Sequence, residues 1–164
     1  MEFNTVINLI HHPRNIGMIT RSHVAFGGGK LIFLGYEKPW EFCDEASAYA
    51  TNLQNKCSIM HFMTLQSFVD WSKDNDFVNY AIEISDNSKS ITGYNFTRKC
   101  NFIFGNEFTG LSQEILSTCS DTLVIPQFGL VGSLNVAVAA SISFYEFTRG
   151  RGNIANINNN KFIE

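Results

Sequence analysis

Short apolar runs recur along this chain, and each is followed by a longer stretch with one apolar side. The runs cover residues 6–10, 30–35, 57–62, 77–84, 101–105 and 122–126. A short, almost unbroken apolar run suits a strand buried on both faces, which is the situation of a parallel sheet. Parallel neighbours need a crossover connection of roughly a dozen residues or more, usually a helix. The intervening stretches supply helices over 15–26, 44–52, 64–73, 112–119 and 133–149. The expected fold is therefore α/β, a mostly parallel sheet flanked by helices.

Local signals place the helix ends. Asn15, Thr64, Ser112 and Ser133 read as N-caps, because a short oxygen-bearing side chain can accept from the unpaired N–H groups of a first turn. After Thr64, the residues Leu65, Phe68, Val69 and Trp71 offer one apolar side, and Ser112 is followed by Glu114 and Ile115 in the first turn. Gly27-Gly28-Gly29 ends the first helix, since glycine relieves the left-handed strain beyond a helix terminus. The stretch 85–99, rich in Asp, Asn, Ser, Thr and Gly, reads as a loop long enough to carry function. No internal repeat is present.

Composition removes several classes. A chain of 164 residues with 45% hydrophobic and 16% charged residues folds around a real core, most simply as one domain over 1–150. The tail over 151–164 is asparagine-rich, and either stays disordered or docks Ile154, Ile157 and Phe162. No run approaches the roughly 18 apolar residues of a membrane span. The first residues, Met1-Glu2-Phe3-Asn4, lack the basic start and apolar stretch of a signal peptide, so a cytoplasmic protein is expected. Cys43, Cys57, Cys100 and Cys119 are widely spaced, with neither a CxxC pair nor histidines at ligand spacing. That points away from a zinc site and a disulfide framework and towards reduced thiols; without secretion the sequon Asn95-Phe96-Thr97 is a chance match. A net charge of −3 does not suit a general nucleic-acid coat. Charge is unevenly spread, however. Residues 11–30 hold no acid but include Arg14, Arg21, Lys30 and three histidines, whereas 37–86 hold nine acids against three bases. The basic segment is either a rim for phosphate contact or scattered solvated charge.

Chemistry-bearing residues gather just past strand ends, where open α/β sheets bind ligands. Gly105-Asn106-Glu107 follows Phe102-Ile103-Phe104 and sets a carboxylate at the rim of that crevice, although an ordinary turn with an exposed acid would read the same way. Leu123-Val124-Ile125-Pro126 leads through Gly129 and Gly132 to Ser133-Leu134-Asn135 and a helix of small residues. Asn135 is a mediocre helix former among apolar neighbours and needs a polar partner. Gly17, inside a helix, costs about 1 kcal/mol relative to alanine, which close packing against a ligand or backbone would explain. Arg21, six residues after Asn15, lies on an otherwise apolar helix, where a plain surface arginine is the competing reading. Phe26-Gly27-Gly28-Gly29-Lys30-Leu31 is not a P-loop, and neither GxGxxG nor GxSxG occurs.

Three stretches together carry a resemblance. They are 12–21 with Asn15-Ile16-Gly17 and Arg21, 104–111 (Phe-Gly-Asn-Glu-Phe-Thr-Gly-Leu), and 125–140 with Pro126, Gly129 and Ser133-Leu134-Asn135. In order and spacing they resemble the motifs of the SpoU/TrmH branch of the SPOUT methyltransferases. That resemblance implies a C-terminal deep trefoil knot, a homodimer with its site near the interface, and no metal. It implies methyl transfer from S-adenosylmethionine to a ribose 2′-hydroxyl of RNA, with tRNA favoured and rRNA the alternative. A non-catalytic RNA-binding relative and a small-molecule methyltransferase are the competing readings.

By matching position, the resemblance makes Asn15, Arg21, Glu107, Ser133 and Asn135 the catalytic polar set. The donor would lie against Ile84, Ser85, Phe104, Gly105, Ile125, Gln127, Phe128, Ser133 and Leu134. Arg21 would either deprotonate the 2′-hydroxyl or bind the adjacent phosphate and orient it. Against the resemblance, the additional N- or C-terminal RNA-binding segments of larger relatives are expected to be missing or very short, and Ala137 stands where relatives often have serine.

Overall fold

The computed structural model describes residues 1–149, so the expected tail over 151–164 lies outside the described residues. The elements follow one another as β1 (Glu2–Asn8), α1 (Pro13–Ala25), β2 (Lys30–Leu34), α2 (Asp44–Ala50), a 3₁₀ turn (Leu53–Lys56), β3 (Ser58–Phe62) and α3 (Leu65–Asp74). Then come β4 (Val78–Ile82), β5 (Lys89–Ser90), β6 (Lys99–Phe104), α4 (Gln113–Ser117), β7 (Asp121–Val124) and α5 (Val136–Thr148). The strands form one sheet in the order β3-β2-β1-β6-β4-β7-β5, and every pairing is parallel. The α/β architecture expected from the alternating runs is the one observed. Among the described residues, no helix is long and apolar enough to cross a membrane.

Side-chain alternation splits the core into two layers. Phe3, Ile7, Leu31, Phe33, Phe102 and Phe104 point to one face, where Ile16 and Ile19 of α1 and Ala140, Phe144 and Phe147 of α5 cover them. Val6, Ile32, Leu34, Ala81 and Ile103 point to the other, beneath Phe68 of α3 and Ile115 of α4. Much of the chain's phenylalanine meets at α5. Phe144 stacks on Phe3 at 4.8 Å between centroids and meets Phe104 edge-on at 5.8 Å.

The central strands also share a polar rung. Asn4, Asn101 and Asn79 lie in register on β1, β6 and β4. Asn4 Nδ2 donates to Asn101 Oδ1 at 2.9 Å, and Asn101 Nδ2 donates to Asn79 Oδ1 at 2.8 Å. All three are buried. A slip of one residue would strand these amides among apolar side chains, so the rung fixes the register.

Several helix ends match expectation. Thr64 accepts from Ser67 N and Ser112 from Ile115 N, while Gly27 takes φ +71° just beyond α1. Two do not. Asn15 is not an N-cap: His12 holds that position, Pro13 opens the helix, and Asn15 sits inside the first turn with its side chain committed elsewhere. Nor does Ser133 cap the last helix. Asn135 does, its Oδ1 accepting from Ala137 N at 2.9 Å and Val138 N at 3.4 Å. The first strand begins four residues earlier than its apolar run, because Glu2 and Phe3 pair with Lys99 and Cys100, and it ends where Leu9 turns to φ 51°. The loop over 85–99 contains the short β5, which pairs with β7 and is anchored by the Lys89–Asp121 ion pair.

Candidate functional site

The carboxyl ends of β4, β6 and β7 are neighbours in the sheet, so the segments that leave them converge. Segments 82–85, 104–111 and 123–136, with His12 and Asn15 from the start of α1, line a cavity of about 720 Å³. That size suits a compact organic ligand.

Glu107 organises one wall. Its carboxylate accepts from His11 N at 3.0 Å, His12 N at 3.2 Å and Asn15 Nδ2 at 2.8 Å. Burial pushes this carboxyl up, but the His11 and His12 N–H groups and the Asn15 amide outweigh it and hold it below the usual carboxylate value. Asn15 Oδ1 in turn accepts from Asn135 Nδ2 at 3.0 Å. A single relay therefore runs from the loop after β6, through α1, to the cap of α5. The predicted need of Asn135 for a polar partner is met by Asn15 on one side and by its own helix N-terminus on the other.

The structure brings together most of the residues picked out in the sequence. Asn15, Glu107, Ser133 and Asn135 line the cavity, as do Ile84, Ser85, Phe104, Gly105, Ile125, Gln127 and Leu134. Two do not join them. Phe128 is 98% exposed and is not part of the lining. Arg21 is exposed on α1 and is likewise absent from the walls.

The glycines act on backbone. A Cβ at Gly105 would lie 2.5 Å from Gly110 C and 2.8 Å from Leu111 N, so Gly105 lets its own loop fold back closely. A Cβ at Gly17 would run into Ala46 O and lie 2.7 Å from Tyr49 Cβ, so this glycine admits α2 against α1. Gly129 and Gly132 have open space around them.

Sequence reasoning missed Glu83 and Asn106 as site residues. Glu83 Oε2 accepts from Leu111 N at 3.0 Å and Oε1 from Ile84 N at 2.8 Å, tying two of the converging segments together. Its signal was available: Glu83 follows the apolar end of β4 much as Glu107 follows that of β6. Asn106 accepts from Phe108 N and Thr109 N and donates to Leu9 O at 2.8 Å, shaping the loop and fastening it to the end of β1.

The lining holds the carboxylates of Glu83 and Glu107, with no lysine, arginine or cysteine among its described residues. Such a wall suits a ligand with positive charge beside apolar parts, and offers no thiol nucleophile. Among the described residues, no group of three or more His, Cys, Asp or Glu is placed to hold a metal ion.

A family model described as the SpoU rRNA Methylase family matches residues 2–145. The tRNA (guanosine(18)-2′-O)-methyltransferase of Escherichia coli K12 is 28% identical over 152 residues, covering 93% of this chain and 65% of that protein. This chain thus spans slightly less than two thirds of that curated relative. A protein of the same description from Thermus thermophilus is 33% identical over 79 residues, 48% of this chain and 41% of that one. The crystal structure of the SpoU methyltransferase AviRb from Streptomyces viridochromogenes, in complex with AdoMet, superposes with a TM-score of 0.83 at 25% identity. It is matched over 92% of this chain and 60% of its own length. A structure described as giving insights into 2-OH methylation of C/U34 on tRNA shares the fold at a TM-score of 0.79 and 23% identity, over 90% of this chain and 95% of that one.

Proposed function

Because this chain belongs to the SpoU rRNA Methylase family, we propose that it transfers a methyl group from S-adenosylmethionine to a ribose 2′-hydroxyl of RNA, with tRNA the favoured substrate. The observation that carries this reading is the relay Glu107–Asn15–Asn135 on the wall of a cavity whose charged side chains among the described residues, apart from any charge on His12, are carboxylates. The donor is a sulfonium cation with apolar and polar parts, and it suits that lining. When bound, it supplies an activated methyl group, so no metal is needed to make a leaving group.

The residues of the chain then divide the work. The segments 82–85, 104–105 and 125–134 hold the donor, with Ile84, Ser85, Phe104, Gly105, Ile125, Gln127, Ser133 and Leu134 in the walls. Glu107 and Asn15 fix the start of α1 against the loop after β6 and keep the acceptor oxygen of the relay in place. Arg21 binds the phosphate beside the reacting ribose and orients its hydroxyl. A guanidinium keeps its proton, so it is a poor base and a strong, two-pronged phosphate ligand.

Arg21 is exposed on α1 and lines no wall of the cavity in its own chain, so in this reading it reaches the ribose bound by a neighbouring subunit. A homodimer provides one. Support comes from the exposed apolar side chains of Phe128, Leu130, Val131, Leu134, Val138 and Tyr145, which flank the cavity on the 125–135 segment and α5. A C-terminal trefoil knot belongs to the same proposal. Its support is that α5, although it follows β7 near one edge of the sheet, returns to pack on α1 through Ser22 and Ser141, while Gly93 N reaches across to donate to Glu146. A traced crystal structure in which 125–148 does not thread the neighbouring loops would remove the knot. A cytoplasmic location, consistent with an RNA substrate, is tested by cell fractionation.

The deciding experiment is incubation with methyl-labelled S-adenosylmethionine and, separately, total tRNA and rRNA, followed by nucleoside analysis. Label in 2′-O-methylated nucleosides of tRNA is the expected result. Label only in rRNA would replace the substrate, and folded protein that neither binds the donor nor labels either RNA would overturn the enzyme reading.

A further inference from the structure

Phe108 stands 76% exposed at the tip of the loop after β6, where a ring of that size gives up hydrophobic stabilisation it would gain by burial. The ring is nevertheless held in place. Asn106 Oδ1 accepts from its N–H at 2.8 Å, and Asn106 Nδ2 fastens the loop to Leu9 O at 2.8 Å. Two imidazoles flank it, with centroids 6.0 Å away at His12 and 6.4 Å at His11, tilted by 54° and 49°. The backbone of both histidines is pinned by Glu107, the residue just before Phe108.

Phe108 lines the cavity described above and also a second one of about 500 Å³, whose walls include Asn8, Leu9, His11 and Ser112. Asn8, 6% exposed, spends its amide nitrogen on Leu34 O at 3.1 Å. Its amide oxygen has no donor among the described residues.

We infer that Phe108, with His11 and His12, is a stacking platform for one unpaired base of the RNA, seated in this second cavity beside the reacting ribose. The inference rests on the reading of the protein as an RNA methyltransferase. A nucleobase has an apolar π-face and polar edges, and so matches an exposed ring bordered by Asn106, Thr109 and Ser112. Charge agrees: Arg14, exposed at the start of α1 two residues after His12, attracts the phosphate beside a seated base. The amide oxygen of Asn8 is available to accept from an exocyclic amino group on such a base.

The test uses the full chain and three forms: wild type, Phe108→Ala and Phe108→Trp, with unfractionated tRNA and a mixed-sequence single-stranded oligoribonucleotide as probes. Because Phe108 is exposed, both variants should keep the thermal midpoint of the wild type. Phe108→Ala should raise KM for tRNA about tenfold, the size expected for one lost stacked base, with donor affinity unchanged. Phe108→Trp should restore KM, and the emission it adds to that of Trp40 and Trp71 in the wild type should be quenched by the oligoribonucleotide. Unchanged RNA affinity in Phe108→Ala, or an unquenched indole, would overturn the platform. Loss of donor binding in Phe108→Ala would assign the ring to the donor instead, and a change only in oligomeric state would assign it to a protein contact; either overturns it too. The quenching arm needs no turnover. Wild-type protein that binds no donor and labels neither tRNA nor rRNA therefore refutes the methyltransferase reading, while the platform is still judged by fluorescence.

Discussion

Asn15 donates from Nδ2 to Glu107 Oε1 over 2.8 Å, although 92 residues separate them in the chain. The same amide accepts from Asn135, so this one side chain on α1 joins the loop after β6 to the cap of α5. Asn15→Asp would place a second carboxylate against Glu107 and force one of the two upward in pKa. Methyl transfer should fall by about a hundredfold, the scale of a misplaced reacting group. Asn15→Ala should cost about 1 kcal/mol of stability for the lost hydrogen bonds. Turnover and chemical denaturation check the pair, and wild-type turnover in Asn15→Asp would remove the relay from the mechanism.

Arg21→Ala is expected to abolish transfer and leave donor affinity nearly intact, because Arg21 touches no wall of the cavity. Arg21→Lys should rescue poorly, since an ammonium lacks the planar fork that grips phosphate. Mixing Arg21→Ala subunits with Asn135→Ala subunits should recover part of the activity if the guanidinium serves the neighbouring chain. If the subunits exchange and no activity returns, that arrangement is wrong.

Gly17→Ala should destabilise the fold even though alanine is the better helix former by about 1 kcal/mol. The new methyl group would meet Ala46 O and the Tyr49 side chain, so α2 must move off α1. Overpacking of this kind costs roughly 1–3 kcal/mol. A higher unfolding midpoint for Gly17→Ala would contradict the close helix crossing.

Stability should decline in mild acid because of His23. Burial pushes this imidazole down from its ordinary 6.5 to about 4, and its Nδ1 lies 2.8 Å from Thr5 Oγ1. The unfolded chain therefore binds the proton more readily than the folded one. The contribution is full above pH 6.5 and is lost as the pH falls towards 4, on the order of 3 kcal/mol in all. Glu107, also held below its ordinary value, acts in a lower window, beginning only as the pH drops through the usual carboxylate range. Unfolding midpoints at pH 7.5 and 5 should differ clearly in wild type and much less in His23→Gln. Equal slopes in the two would acquit His23.

Sheet and helices were legible because burial on both faces leaves unbroken apolar runs, as in Phe102-Ile103-Phe104. Most of the cavity lining was legible only through the resemblance of three stretches taken together, because Gly105-Asn106-Glu107 alone reads equally as a turn with an exposed acid. Chain ends of elements were less so. Asn15 and Ser133 have the chemistry of N-caps, yet Asn15 is drawn off by Glu107, and Asn135 lies closer to the first turn of α5. The asparagine rung could not be read, since Asn4, Asn79 and Asn101 meet only through the strand order. The placement of Arg21 depends on which side of α1 faces α5, and residue spacing alone does not give that.

The strand order has a consequence for a chain made from one end. β1, β2 and β3 are contiguous in the sequence and adjacent in the sheet, so they can assemble while later residues are still being added. β4 cannot join them. Its two neighbours are β6 and β7, both of which follow it, so it leaves the ribosome as an apolar segment with nothing to pair with. Until residue 104 has emerged, Tyr80 and Ala81 are a target for chaperones and for other nascent chains. Slowing translation before that point should trap more protein in aggregates than the same pause placed after β7.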